Sequence, residues 1–162
     1  MSRLDSFIRR MTAQRDLLNH AARDPGLPRT GAILEVGLGN GRTYSHLRAL
    51  FPDRRIVAFD RALRAHSGST PAPGDLVLGE IDETGRGFLG QDAALVHADI
   101  GSGHDELDAA ILRWLPGMVA GMLAPGGLAV SGLPLDAAGL TALPLPPGID
   151  PGRYFLYRRA GR

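Results

Sequence analysis

The sequence predicts a single α/β domain in three layers: a mostly parallel central sheet, helices on both of its faces, and an extra helix at the N-terminus. Three observations carry this. Short, continuous apolar runs alternate with segments of helical period, the pattern of parallel strands buried on both faces. The first four runs end in a glycine or an acid (Gly37, Asp60, Glu80, Asp99), at the strand ends where open parallel sheets take their ligands. The chain has 162 residues, enough for one domain whose core needs no staples.

The first 24 residues form a helix. Leu4, Phe7, Ile8, Met11 and Leu18 fall on one stripe, and Arg3, Arg9, Arg10 and Arg15 avoid it. Ser2 and Asp5 have the spacing of a capping box, and Asp24-Pro25-Gly26 is a stop. The stripe can cover the sheet, close over a ligand as a lid, or form a dimer seam. Residues 32–36 then read as a buried strand, Thr43 to Phe51 as a helix closed by Pro52, and Ile56 to Asp60 as a second strand. The stretch 61–74 is loop-like, so the second crossover has little room for a helix. Leu76 to Leu78 is a third strand, and Ala94 to His97 a fourth that ends at Asp99. Residues 105–123 are helical, with Pro116 set to kink or divide them. A turn at Pro125-Gly126-Gly127 leads into a fifth strand, Leu128 to Leu133. Residues 153–158 alternate weakly and read as a last, edge strand.

Composition excludes several chemistries. There is no cysteine, hence no disulfide, thiol nucleophile or Cys-ligated metal. All 18 basic residues are arginine, which removes Schiff-base chemistry and the phosphate-loop lysine. A net charge of +1 points to no polyanionic partner, so no nucleic acid is expected. The uncharged stretch Trp114 to Leu135 is broken by Pro116, Pro125, Pro134 and Gly126-Gly127, a poor composition for a spanning helix. The first residues carry charge and no apolar core of a signal peptide, so a cytoplasmic protein is expected.

The most informative segment is Glu35-Val36-Gly37-Leu38-Gly39-Asn40-Gly41, between a strand and a helix. Glycines there let the chain turn sharply and let a ligand approach the backbone. The dinucleotide fingerprint G-x-G-x-x-G fails in both registers, because its third glycine falls on Arg42 or Tyr44. The pattern E-x-G-x-G-x-G resembles the first motif of class I methyltransferases that use S-adenosylmethionine. The resemblance continues with Asp60, Gly79-Glu80-Ile81, His97-Ala98-Asp99 and Pro125-Gly126-Gly127, and covers roughly residues 30 to 135. More narrowly, the chain is similar to a small stand-alone bacterial family of such enzymes. That likeness rests on Arg3-Leu4-Asp5-Ser6-Phe7, Gly37 to Tyr44, Phe59-Asp60-Arg61-Ala62-Leu63, Leu143-Pro144-Leu145-Pro146 and Gly152 to Tyr157.

The resemblance implies a Rossmann-like methyltransferase fold and methyl transfer from S-adenosyl-L-methionine to an unidentified, small acceptor. It implies a cofactor core over residues 31–135. Within it, Glu35, Gly37, Leu38, Gly39, Asn40, Gly41, Asp60, Arg61, Glu80, Ile81 and Asp99 are the candidate cofactor-binding residues. Asp60 is expected to grip the ribose hydroxyls, and Glu80 to contact the adenine. Glu35 is expected to be satisfied by backbone N–H groups of the glycine loop. Asp99 is expected to hold the donor's amino group or to orient the acceptor, in a pocket between Asp99 and the loop after the fifth strand. His97 is expected to be satisfied against the sheet; no catalytic residue and no metal are assigned. Two other readings compete: a non-catalytic cofactor-binding or oligomerising protein on the same fold, and a nucleotide-cofactor enzyme of another chemistry. A homo-oligomer is left open.

Overall fold

A computed structural model describes residues 1–161. One seven-stranded sheet organises the chain, in the order β3-β2-β1-β4-β5-β7-β6. The strands are β1 (Ile33–Val36), β2 (Ile56–Asp60), β3 (Leu76–Leu78), β4 (Ala93–Ala98), β5 (Leu123–Ser131), β6 (Leu140–Ala142) and β7 (Phe155–Arg159). The first five run parallel, and β7 runs antiparallel to both β5 and β6. The chain reverses its direction of winding between β1 and β4, which leaves a crevice at their carboxyl ends.

Helices α1 (Arg3–Arg23) and α2 (Arg42–Leu50) contribute Leu17, Leu18 and Leu47 to one face of the sheet, against Ile33, Leu95 and Leu128. The short α3 (Ile81–Thr84) and α5 (Leu115–Met122) cover the other face, packing Ile81, Met118 and Met122 among Leu34, Phe59 and Val96. Between β4 and α5 lies α4 (Asp105–Leu112). The predicted division at Pro116 is real: α4 and α5 are separate helices, with Pro116 in the first turn of α5, where its missing N–H costs nothing. The Ser2–Asp5 capping box at the start of α1 has both of its hydrogen bonds, at 3.0 Å.

Two expectations need correction, and a reading left open is narrowed. The last strand is not an edge: β7 lies between β5 and β6, and the edge is Leu140–Ala142, too short for its alternation to show in the sequence. Pro125-Gly126-Gly127 does not precede the fifth strand but interrupts it. The register against β4 shifts from Ala93–Leu123 to Leu95–Leu128, and Gly126 takes up the bulge at φ 80°. The apolar stripe of α1 covers the sheet only along its second half. Leu17, Leu18 and Ala21 are fully buried, whereas Leu4, Phe7 and Ile8 are 66, 48 and 52% exposed. The first half of α1 projects past the sheet, over the carboxyl ends of its strands. Among the described residues no helix is long and apolar enough to cross a membrane, and the uncharged stretch 114–135 is divided between α5 and β5.

Candidate functional site

The glycine turn after β1 separates two clefts. One, of about 400 Å³, runs from Gly37 and Gly39 past Asp60 and Glu80 to Trp114. The other, of about 210 Å³, lies between the same glycines and the underside of α1 at Phe7, Arg10 and Met11. Asp99 lines both.

The three glycines differ in what they allow. A Cβ on Gly37, at φ +96°, would lie 2.5 Å from Ile100 Cγ2 and 3.0 Å from the Asp99 carbonyl, so this position is closed by packing. One on Gly41, at φ +84°, would meet the Ser69 carbonyl at 2.6 Å. Gly39, at φ +53°, has open space on that side. It is therefore the point where another molecule can come up against the backbone. Leu38 is buried beneath the turn, and the Asn40 side chain accepts from Arg42 N–H at 3.1 Å, steadying the start of α2.

Asp60 closes β2 beside this opening. Its Oδ2 accepts from Gly39 N–H and its Oδ1 from Arg61 N–H, both at 2.7 Å. Each oxygen keeps a lone pair for a further donor, so the carboxylate is fixed in place and still able to accept from a diol. Arg61 and Glu80 form an exposed pair at 3.5 Å on the rim, and Ile81 is buried at the cleft wall.

Glu35 departs from its expected role. It is completely buried and lines neither cleft, and its partners are side chains rather than loop N–H groups. Oε1 accepts from Thr43 Oγ1 at 3.1 Å and lies 2.7 Å from His97 Nδ1, its register neighbour on β4; Oε2 has no partner among the described residues. His97 Nε2 lies 2.8 Å from the Tyr154 hydroxyl, which accepts from Gln14 Nε2 at 2.9 Å. Gln14 gives its second N–H to Asp99 Oδ2 at 2.8 Å, and Arg10 holds Asp99 Oδ1 at 2.5 Å. A chain of polar contacts thus runs from α2 through β1, β4 and the residue before β7 to α1, and surfaces at Asp99.

The donor inventory assigns protons along it. When the imidazole is neutral, the phenol accepts from Gln14 and donates to His97 Nε2, with the ring proton on Nδ1 facing Glu35; when it is protonated, Nε2–H donates to the phenol oxygen instead. Burial opposes a charged imidazole, but the Glu35 carboxylate against it outweighs burial and holds the His97 pKa above its ordinary value. Burial raises Tyr154 well above the usual phenol value. His97 is thereby satisfied inside the fold, as the sequence suggests.

Other features escape sequence reasoning. Arg10 and Gln14 reach the site from a helix whose stripe the sequence leaves open as cover, lid or seam, and Gln14 is legible only as a polar residue four positions before Leu18. Tyr154 lies far along the chain. The gap expected between Asp99 and the loop after β5 is filled: a Cβ on Gly132 would lie 2.9 Å from Asp99 Oδ1, and one on Gly101 3.2 Å from Leu133.

Known proteins share the fold that carries this site. The family described as S-adenosyl-L-methionine methyltransferase matches residues 1–159. The crystal structure of an S-adenosyl-L-methionine methyl transferase from Silicibacter pomeroyi DSS-3 is 44% identical over 99% of each chain, with a TM-score of 0.90. More distant structures share the fold alone. The antibiotic-resistance methyltransferase Kmr is 14% identical over 91% of this chain and 93% of its own, with a TM-score of 0.59. A 16S rRNA (adenine(1408)-N(1))-methyltransferase with cosubstrate SAM, from Catenulisporales acidiphilia, is 12% identical over 90% of this chain and 91% of its own, with a TM-score of 0.54. No curated protein matches the chain.

Proposed function

The chain belongs to the S-adenosyl-L-methionine methyltransferase family and is an enzyme that uses this cofactor for methyl transfer; from that premise we propose how its residues divide the work. The cofactor supplies a methyl group already activated by its sulfonium. The chain has to hold it, aim it and bring an acceptor in line.

In this reading the larger cleft takes the nucleoside, with Asp60 accepting from the ribose hydroxyls and Glu80 and Ile81 beside the base. Gly37 to Gly41 form the backbone wall, and the open side of Gly39 is the place of contact. The observation that carries the reading is the pairing of that open glycine with a carboxylate anchored 2.7 Å away. Arg61 holds Glu80 on the rim, and Glu35 acts from beneath through Thr43 and His97. Asp99, facing both clefts, is the group for the donor's ammonium. His97 has no exposed surface and positions rather than reacts.

We read the whole of residues 1–162 as one methyltransferase domain and the acceptor as a small molecule rather than a nucleic acid. In support, three of the arginines of α1 already have acidic partners: Arg9 with Asp150, Arg10 with Asp99 and Arg15 with Asp16. These pairs take up three of the five positive charges that α1 could turn toward a phosphate backbone. Calorimetric titration with S-adenosylhomocysteine tests the donor site. The parent binds, Gly39→Val does not, and equal affinity in the two proteins overturns the assignment.

A further inference from the structure

The cleft under α1 does not end at the glycine turn. A second hollow of about 260 Å³ continues it between α1 and α2, and the two have Phe7, Met11, Gln14, Arg42 and Thr43 in common. The far end is walled by Leu18 and His46. Together they make one groove that begins at Gly37 and Gly39 and runs away from the nucleoside cleft.

Its charge is lopsided. Arg10, Arg15 and Arg42 line it, against a single carboxylate, Asp99. Asp99 is held by Arg10 and Gln14, which leaves only its remaining lone pairs for the donor's ammonium, and Arg15 is answered from outside by Asp16. His46, bonded to Asn19 at 2.8 Å, has its pKa lowered by burial and by Arg15, so it adds no fixed charge at neutral pH. Arg42 remains. Its guanidinium has no acidic partner among the described residues, and it lines both halves of the groove. The rest of the wall is Phe7, Met11 and Leu18.

We propose that this groove is the acceptor site and that it selects small amphipathic acids: molecules with one anionic group, held by Arg42, and an apolar body lying on Phe7, Met11 and Leu18. The inference rests on the reading that the glycine turn carries the donor, since that places one end of the groove at the methyl group. It also accounts for the exposed apolar flank of α1 at Phe7, which a bound apolar body covers.

The test uses the full chain saturated with S-adenosylhomocysteine and compares phenylpropionate with phenylpropionamide by calorimetry. The two probes differ in charge and hardly in shape. A charge-assisted contact to a guanidinium makes the acid bind about ten- to a hundred-fold more tightly than the amide. Arg42→Gln brings the acid down to the level of the amide, Arg42→Lys restores most of the difference, and Phe7→Ser weakens both probes alike. S-adenosylhomocysteine affinity stays within about twofold in all three variants, since they leave the donor's charged contacts in place. The proposal is overturned if the acid does not bind, if acid and amide bind equally, or if Arg42→Gln keeps the preference. It is equally overturned if Arg42→Gln loses the donor product, which would give Arg42 to the donor. Failure of the underlying reading shows separately, as absence of S-adenosylhomocysteine binding in the saturating titration of the parent.

Discussion

Gly39 and Asp60 meet through one 2.7 Å hydrogen bond, yet their substitution should have separable effects. Asp60→Ala removes an acceptor of charged-group hydrogen bonds, worth about 1.5–3 kcal/mol, so donor affinity should fall about ten- to a hundred-fold in a titration. Gly37→Ala should instead lower Tm, because its Cβ would press on Ile100 and the Asp99 carbonyl at φ +96°. His97 makes a prediction of opposite kind, in pH rather than affinity. Its folded pKa is raised, so its contribution to stability is complete below its unfolded value, about 6.5, and is lost as pH rises through the folded value. Urea midpoints of the parent and His97→Gln should therefore converge as pH rises; a gap that widens would contradict the Glu35–His97 pairing. At this scale the sequence displayed the glycines and Asp60 because each is demanded locally, by a turn or a strand end. It could not display the partners of Glu35, since register across β1 and β4 sets Glu35 beside His97 and no local pattern encodes it.

Helix α1 shows where periodicity stops being sufficient. Its stripe is continuous in sequence but meets two environments, the sheet under Leu17 and Leu18 and an open groove under Phe7 and Met11. Burying each of the two leucines contributes about 1.5–3 kcal/mol, which anchors the second half and leaves the first tied by Arg10 and Gln14 to Asp99. Tyr154→Phe removes the hydroxyl shared by Gln14 and His97 and leaves both without that partner, at a cost of about 1–3 kcal/mol in chemical unfolding. An unchanged midpoint would mean that the network does not hold α1 to the sheet. The strand elements were legible in proportion to their burial. β1, β2 and β4 are buried on both faces and announce themselves as apolar runs. β6 is three residues of which Thr141 and Ala142 are exposed, and the bulge in β5 looks in sequence like a turn because the same Pro-Gly-Gly chemistry serves both.

Across the whole molecule, family membership names the nucleoside ligand that should stabilise the fold, and the failed dinucleotide fingerprint names one that should not. S-adenosylhomocysteine at about a hundred times its Kd should add about 2.7 kcal/mol to unfolding, several degrees in Tm, and NAD should add nothing. A saturable NAD shift would count against the glycine turn as read here. The polar chain from Thr43 to Asp99 has a further consequence. Its members lie at positions 14, 35, 43, 97, 99 and 154, and β7, which seats Tyr154 against His97, inserts between β5 and the edge strand. During synthesis the ribosome delivers Glu35 and His97 long before Tyr154. Until the tyrosine emerges, the imidazole has no second partner and β5 has an unpaired flank. The hydrogen bonds of the central layer are therefore complete only once the chain is long enough to supply β7 and Tyr154.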